Sequence, residues 1–150
     1  MQFTDYTHFS LRALTFLALQ PHDRLTTITE IADAFTISRN HMVKIIHQLG
    51  LKGYVETIRG RHGGIRLAKP ATHINLRSVV IDMENILSPI NCKEEDCHIV
   101  SACRVQGIMR RAMNAFLDVL DEYTLADIVK HPDRLCELLG IEHIPVKLIA

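Results

Sequence analysis

Residues 27–51 read TITEIADAFTISRNHMVKIIHQLGL, and two helix starts are written into them. Thr27 and Glu30 stand three apart as a capping box, in which the Thr27 hydroxyl satisfies a free backbone N–H of the first turn while Glu30 reaches back to residue 27. Ile28, Ile31, Ala32 and Phe35 then recur at i, i+3, i+4, i+7, the apolar stripe of a helix packed on a core. Thr36-Ile37-Ser38 interrupts the pattern, and Ser38 is a second N-cap, so a second helix is expected over Arg39–Leu51. In it Met42, Val43, Ile46 and Leu49 are expected inside, and Arg39, Asn40, His41, Lys44, His47 and Gln48 outside. Two short helices about a tight turn, the second with hydrogen-bonding side chains on its outer face, form a helix-turn-helix whose second helix can enter a DNA major groove. Ser38, Arg39, Asn40 and His41, at the start of that helix, are the candidates for base edges, and Lys44 for a phosphate.

The next segment reads as a β-hairpin. Residues 54–59 are rich in strand formers, Arg59-Gly60-Arg61-His62-Gly63-Gly64 is a glycine-rich basic turn, and Ile65-Arg66-Leu67-Ala68 alternates until Pro70 stops it. Directly after a helix-turn-helix such a hairpin is a wing, with Arg59, Arg61 and His62 placed for phosphates or the minor groove. The glycine pair does not have the spacing of a nucleotide-binding loop, neither G-x-x-x-x-G-K-[ST] nor G-x-G-x-x-G.

Charge points the same way. The formal net charge is zero, yet residues 1–75 hold nine Lys/Arg against five Asp/Glu (+4), and residues 76–150 hold eight against twelve (−4). Within the first half, residues 39–69 carry seven basic side chains and one acidic one, Glu56. That is the electrostatic footprint of a nucleic-acid face.

Upstream, residues 7–19 have good helix formers and an apolar face of Leu11, Leu14, Phe16, Leu17 and Ala18, ended by Gln20-Pro21: a scaffold helix for the DNA-binding unit. Downstream, Asn75 caps a helix over 76–84. A long helix is expected over 104–123, where Val105, Met109, Ala112, Phe116, Val119 and Tyr123 recur at spacings of 4, 3, 4, 3, 4. That heptad-like seam is expected to be a dimer interface, although Ile108, Met113, Leu117 and Leu120 also give the helix the apolar width of an intramolecular core element. Thr124-Leu-Ala-Asp-Ile-Val and the Pro145-containing end predict a short helix and a loosely held terminus. The fold class is therefore mainly α with a small β-hairpin wing: a winged helix-turn-helix unit over 1–75, a cysteine loop with a dimerisation helix over 76–130, and a C-terminal tail over 131–150.

Between the last two long helices, Cys92, Cys97 and Cys103 form C-x4-C-x5-C in a polar loop. The N-terminus lacks a basic stretch followed by an apolar core, and no run approaches a membrane span, which predicts a cytoplasmic chain with no membrane partner. Thiols there stay reduced, so a cysteine cluster reads as metal binding before it reads as disulfides. Cys136, far downstream in an amphipathic stretch, is expected to be a buried structural thiol. Zinc held by the three cysteines and His98 is one possibility, but structural zinc favours C-x2-C knuckles, and the wider gaps suit a polynuclear iron-sulfur centre. No acid-base constellation accompanies the thiols, so no enzyme is expected. An electron carrier would have no use for the basic recognition helix and wing.

Thr7-His8-Phe9-Ser10-Leu11-Arg12-Ala13-Leu14, Ser38-Arg39-Asn40-His41-Met42-Val43-Lys44-Ile45-Ile46, Arg59-Gly60-Arg61-His62-Gly63-Gly64-Ile65-Arg66-Leu67 and the loop ending Ser101-Ala102-Cys103-Arg104 occur in one order. In this the chain resembles the Rrf-type winged-helix transcriptional regulators, as one unit over about residues 2–130, and within them it is most similar to the nitric-oxide-sensitive NsrR branch. The resemblance implies a homodimeric repressor on an inverted-repeat double-stranded DNA operator, with residues 28–51 as the DNA-binding element. It implies one iron-sulfur cluster per subunit, 2Fe-2S or 4Fe-4S, held by Cys92, Cys97 and Cys103, and nitric oxide as the effector that releases nitrosative-stress genes. Regulators of iron-sulfur biogenesis in the family have a ligand His three residues after the last cysteine, where this chain has Gln106. The NsrR branch has an Asp in the first helix that reaches the partner's cluster, and here that position is His8. His8 either replaces it as fourth ligand or occupies a surface slot, and Asp5, Asp96 and His98 are further candidates. Sensing of iron or redox state instead of nitric oxide, and a zinc-stabilised regulator of the same fold, are the alternatives.

Overall fold

The computed structural model describes residues 2–92 and 97–142. In chain order the elements are α1 (Asp5–Ala18), α2 (Ile28–Ala34), α3 (Arg39–Leu51), β1 (Val55–Ile58), β2 (Gly64–Leu67), α4 (Leu76–Met83), α5 (Val105–Asp121), α6 (Leu125–Ile128) and α7 (Pro132–Leu139). The mainly helical architecture with one antiparallel hairpin is the expected one. No helix of the described residues is long and apolar enough to cross a membrane.

Local capping places the helices. The Thr27 hydroxyl accepts the Glu30 N–H at 3.2 Å, and the Glu30 carboxylate accepts the Thr27 N–H at 2.7 Å, closing the capping box of α2. Ser38 opens α3 by accepting the His41 N–H at 3.3 Å. The turn between them passes through Thr36 at φ 55°, a left-handed conformation that costs a β-branched residue strain. α1 begins two residues earlier than expected, at Asp5, because the Thr4 side chain caps it by accepting the Thr7 N–H.

One expectation about α3 is corrected. Met42, Ile45, Ile46 and Leu49 are its buried residues, whereas Val43 is exposed. At about 100° per residue the four buried positions fall in one arc, and Val43 falls outside it.

The hairpin pairs Val55 with Leu67 through Ile58 with Gly64. Thr26, just before α2, adds a bridge to Ile65, with hydrogen bonds of 2.9 and 2.8 Å in the two directions. This ties the wing to the start of the helix-turn-helix. Gly63 and Gly64 are demanded by close backbone approach: a Cβ at 63 would stand 2.1 Å from the Ile58 carbonyl oxygen, and one at 64 would stand 2.8 Å from the Leu25 Cβ.

The main apolar core takes Leu14, Phe16 and Leu17 from α1, Ile31 from α2, the buried face of α3, Ile65 of the wing, Val79 and Met83 of α4, and Leu125 of α6. A second cluster joins Val80 of α4 to Met113 and Leu117 of α5. α4 is thus the shared element between the winged head and the long helix. The chain after α5 forms two short helices where one was expected. α7 starts on Pro132, stops at Gly140 in the left-handed region, and buries Cys136, while Leu139 and Ile141 pack on the main core.

Candidate nucleic-acid interface and candidate metal centre

The outward face of α3 follows from the arc it buries. Arg39, Asn40, Val43, Lys44 and His47 are all exposed and, at about 100° per residue, span an arc of about 140° opposite Met42, Ile45, Ile46 and Leu49. Val43 and His47 are the two members of this arc that the sequence-based site did not include. Counting the helical wheel from the Ser38 cap is the signal that finds them.

His41 lies at the flank of the arc and is half-buried. Its ring meets the edge of Phe9 of α1, with centroids 5.3 Å apart at 76°. The Arg12 guanidinium stands 5.7 Å from the Phe9 and Phe35 ring centroids alike. The Tyr6 hydroxyl donates to the Lys44 carbonyl at 3.2 Å. α1 therefore seats the recognition helix by a hydrogen bond and a ring contact, both from its first two turns. Ser38 is exposed, but its hydroxyl is engaged as the cap.

The basic residues of segment 39–69 divide by their partners. Arg66 pairs with Glu56, Lys52 with Asp82 at 3.0 Å, and Lys69 stands 4.8 Å over the Tyr54 ring. Among the described residues Arg39, Lys44, Arg59 and Arg61 make no ion pair, and with His62 all are exposed on α3 and the hairpin tip. An unpaired exposed cation pays no partner-loss cost on meeting a phosphate.

The three loop cysteines are free and half-buried. Residues 97–103 coil tightly: the Val100 N–H bonds to the Cys97 carbonyl at 3.3 Å, Ala102 to Ile99 at 3.0 Å and Cys103 to Val100 at 3.4 Å. Arg104 then takes the N-cap position of α5 without a side-chain cap hydrogen bond. The donor set fits a thiolate-held centre, since all three thiols are partly accessible and none is in a disulfide. Among the described residues, however, no three His, Cys, Asp or Glu side chains are gathered as a metal cage. Cys136 is different in kind: burial, followed by the nearby Asp133 charge, pushes its thiol up from its ordinary pKa. His98 is exposed beside Cys97, Asp5 is exposed in the first turn of α1, and Asp96 lies outside the described residues. His8 is exposed on α1, stacked on Phe9 at 5.8 Å, and lines an apolar groove of about 390 Å³ with Arg12, Phe35, Ile128 and Leu138.

Two carboxylates at the end of α4, where the chain leaves for the cysteine loop, are committed to the DNA-binding head. Glu84 accepts the Thr4 N–H at 3.1 Å, the Thr4 hydroxyl at 3.1 Å and the Thr7 hydroxyl at 2.7 Å. Asp82 accepts the buried Tyr54 hydroxyl at 2.6 Å and the Lys52 ammonium at 3.0 Å. Burial, then the hydrogen bond to Asp82 and its charge, push the Tyr54 phenol well above its usual range. Burial pushes Asp82 up, but the hydrogen bonds from Tyr54 and Lys52 and the charges of Lys52 and Lys69 outweigh it and hold the carboxyl below its ordinary pKa.

α5 shows two apolar faces. Met113 and Leu117 are buried against α4, and Phe116 and Leu120 pack beside them. Val105, Ile108, Val119 and Tyr123 are exposed and, with Ala112, line up along the other side. Of the expected seam positions, Phe116 packs beside the chain's own core and Met109 is half-buried, while Ile108 is exposed and adds to the open stripe.

Known proteins share this arrangement. A family model described as Rrf2, iron-dependent transcriptional regulator, matches residues 3–131. Among solved structures, CymR (YrzC) of B. subtilis, described as the global cysteine regulator, is 24% identical with a TM-score of 0.70 over 87% of this chain and 98% of its own. IscR of T. potens is 20% identical with a TM-score of 0.72 over 90% of both chains, and a protein of Listeria innocua is 27% identical with a TM-score of 0.72 over 87% of this chain and 88% of its own. Winged-helix fold and the role of DNA-binding regulator rather than enzyme follow from the family match, and the chain belongs to the Rrf2 family of transcriptional regulators.

Proposed function

We propose that this regulator is a nitric-oxide-sensitive repressor whose sensor is an iron-sulfur cluster, one per subunit, held by Cys92, Cys97 and Cys103. The observation that carries the reading is the position of three free, half-buried thiols on the one loop that joins α4, hydrogen-bonded to the DNA-binding head, to α5, with its open apolar stripe. When bound, such a cluster with three cysteine ligands supplies an iron whose remaining site is open to a weaker ligand or to nitric oxide. His8, exposed on α1, is the proposed fourth ligand, offered to the partner's cluster in a homodimer formed along α5.

The chain's own residues supply the coupling. A dimer reads half-sites about one helical turn apart, roughly 34 to 36 Å, so the angle between its two α3 helices sets operator affinity. A displacement of the α4 end must carry α1 through Glu84, Thr4 and Thr7, or break those hydrogen bonds. α1 in turn holds α3 through Tyr6 and Phe9. Arg39, Asn40 and His41 are assigned to base edges, and Lys44, Arg59, Arg61 and His62 to phosphates, with Ser38 as the cap that orients the helix start.

The likeness to a cysteine regulator and to IscR supports a second reading, in which the loop answers to iron supply or redox state instead of nitric oxide. The test is purification without oxygen, iron and sulfide analysis, visible absorption, and operator binding during titration with nitric oxide. Stoichiometric iron and sulfide with loss of DNA binding on adding nitric oxide supports the sensor. Metal-free protein with full operator affinity that falls on thiol oxidation refutes it, and zinc without sulfide assigns the loop a structural role.

A further inference from the structure

We propose that Val43 reads a thymine in each operator half-site through apolar contact with its 5-methyl group. This rests on α3 being the helix that enters the major groove.

Val43 sits within the outward arc, between Arg39 and His47 at about 40° from each and about 60° from Asn40. All its neighbours on that face are polar and exposed. Val43 itself is 37% exposed and belongs neither to the two apolar clusters nor to the residues packed against them. More than a third of the isopropyl group thus faces outward among polar side chains and is free to meet a further apolar group. Leu51 is more exposed, but it ends α3, about three turns beyond the cap and past the N-terminal part that reaches base edges.

The major groove offers one apolar group on a base edge, the thymine methyl. Valine suits it: β-branching leaves essentially one χ1 rotamer in a helix, so its methyls point in a fixed direction and little freedom is lost on contact. Asn40, three residues earlier on the same face, has the paired donor and acceptor that match the adenine N6 and N7 edge. Together they suit neighbouring A·T pairs, with Asn40 taking an adenine and Val43 a thymine.

The experiment selects operators from a random duplex pool with protein purified without oxygen, then replaces each thymine of the selected half-site singly by deoxyuridine, which removes the methyl alone. At one position the replacement is expected to weaken wild-type binding about threefold to fivefold, the transfer free energy of one such group. Val43→Ala should bind the thymine and deoxyuridine duplexes equally, with unchanged helical content, and Val43→Ile should retain the discrimination. Asn40→Ala, assayed on base-pair variants, tests the helix independently of Val43. Equal deoxyuridine discrimination in wild type and Val43→Ala, or none in wild type, overturns the proposal, and an Asn40→Ala effect then leaves α3 as the reading helix. If neither variant alters base preference, α3 does not read the groove and both inferences fall.

Discussion

Replacing Ile108 tests the dimer through its most exposed large apolar contact on α5. Ile108 is 60% exposed in the single chain and belongs to neither apolar cluster, so its loss leaves the fold intact. Fully burying an isoleucine side chain is worth about 1.5 to 3 kcal/mol, so covering the exposed 60% contributes about 1 to 2 kcal/mol per copy. A two-fold interface uses the residue twice, which gives about 2 to 4 kcal/mol per dimer. Ile108→Ala should therefore raise the dimer dissociation constant by roughly 30-fold to 1,000-fold, and Ile108→Glu by more, since it sets two like charges in an apolar seam. Sedimentation equilibrium over a range of protein concentrations reads the constant, circular dichroism checks the helices, and Asn114→Ala, exposed on another flank of α5, is the control. An Ile108→Glu protein that dimerises within about twofold of wild type would falsify the assignment of the stripe as an interface.

Cys103→Ala should lose visible absorption and operator-specific binding with helical content retained, Cys136→Ala should keep both, and His8→Ala should keep the dimer but lose the cluster faster in air. A full cluster in the Cys103 variant would remove that residue from the ligand set. Thr36→Gly relieves a left-handed β-branched residue worth about 1 to 2 kcal/mol, less the extra freedom glycine has when unfolded, for a net gain of about 0.5 to 1 kcal/mol in urea denaturation. A lower midpoint would show that the Thr36 side chain contributes more than its backbone costs. Tyr54→Phe removes a hydrogen bond to an ionised carboxylate and should cost about 1.5 to 3 kcal/mol at neutral pH. Because the folded Asp82 pKa lies below its ordinary 3.8, its contribution is present above that value and disappears as the pH falls through the folded pKa, so the two proteins should converge in acid. The raised Tyr54 phenol acts oppositely: above its ordinary pKa of 10.0 the unfolded chain ionises first, so wild type should lose more stability there than Tyr54→Phe, the raised Tyr6 phenol being common to both. Parallel stability curves from pH 2 to 11, a range of about one to two units beyond each titration, would refute the clamp.

Much of the DNA-binding head was legible because its signals are local. Thr27 with Glu30, and Ser38 before Arg39, place α2 and α3 without reference to the rest of the chain. Gly63 and Gly64 marked the hairpin tip, and the structure supplies the cause in the backbone atoms that face them. Val43 was misplaced because it follows Met42 in an apolar pair, and adjacency in sequence says nothing about a shared helix face. A wheel in which Met42, Ile45, Ile46 and Leu49 share one arc corrects it. α7 was passed over although Pro132 at its start and Gly140 at its end carry the usual asymmetry of helix boundaries. For the candidate metal centre, sequence names the donors, whereas the distances among them depend on how the loop is drawn together when a metal binds.

The joints between α4 and the winged head could not be read at all, because both are long-range pairings. Tyr54 meets Asp82 across 28 residues, and Thr7 meets Glu84 across 77. What selects these partners is the packing of α4. Val79 and Met83 face the main core while Val80 faces Met113 and Leu117 of α5, which fixes the rotation of the helix about its axis. With that rotation set, Asp82 is turned toward the base of the wing, and Glu84, at the cap, toward the start of α1. Apolar residues thus choose the orientation and the carboxylates register it. One short helix is thus held on two sides, by the start of α1 and by the base of the wing.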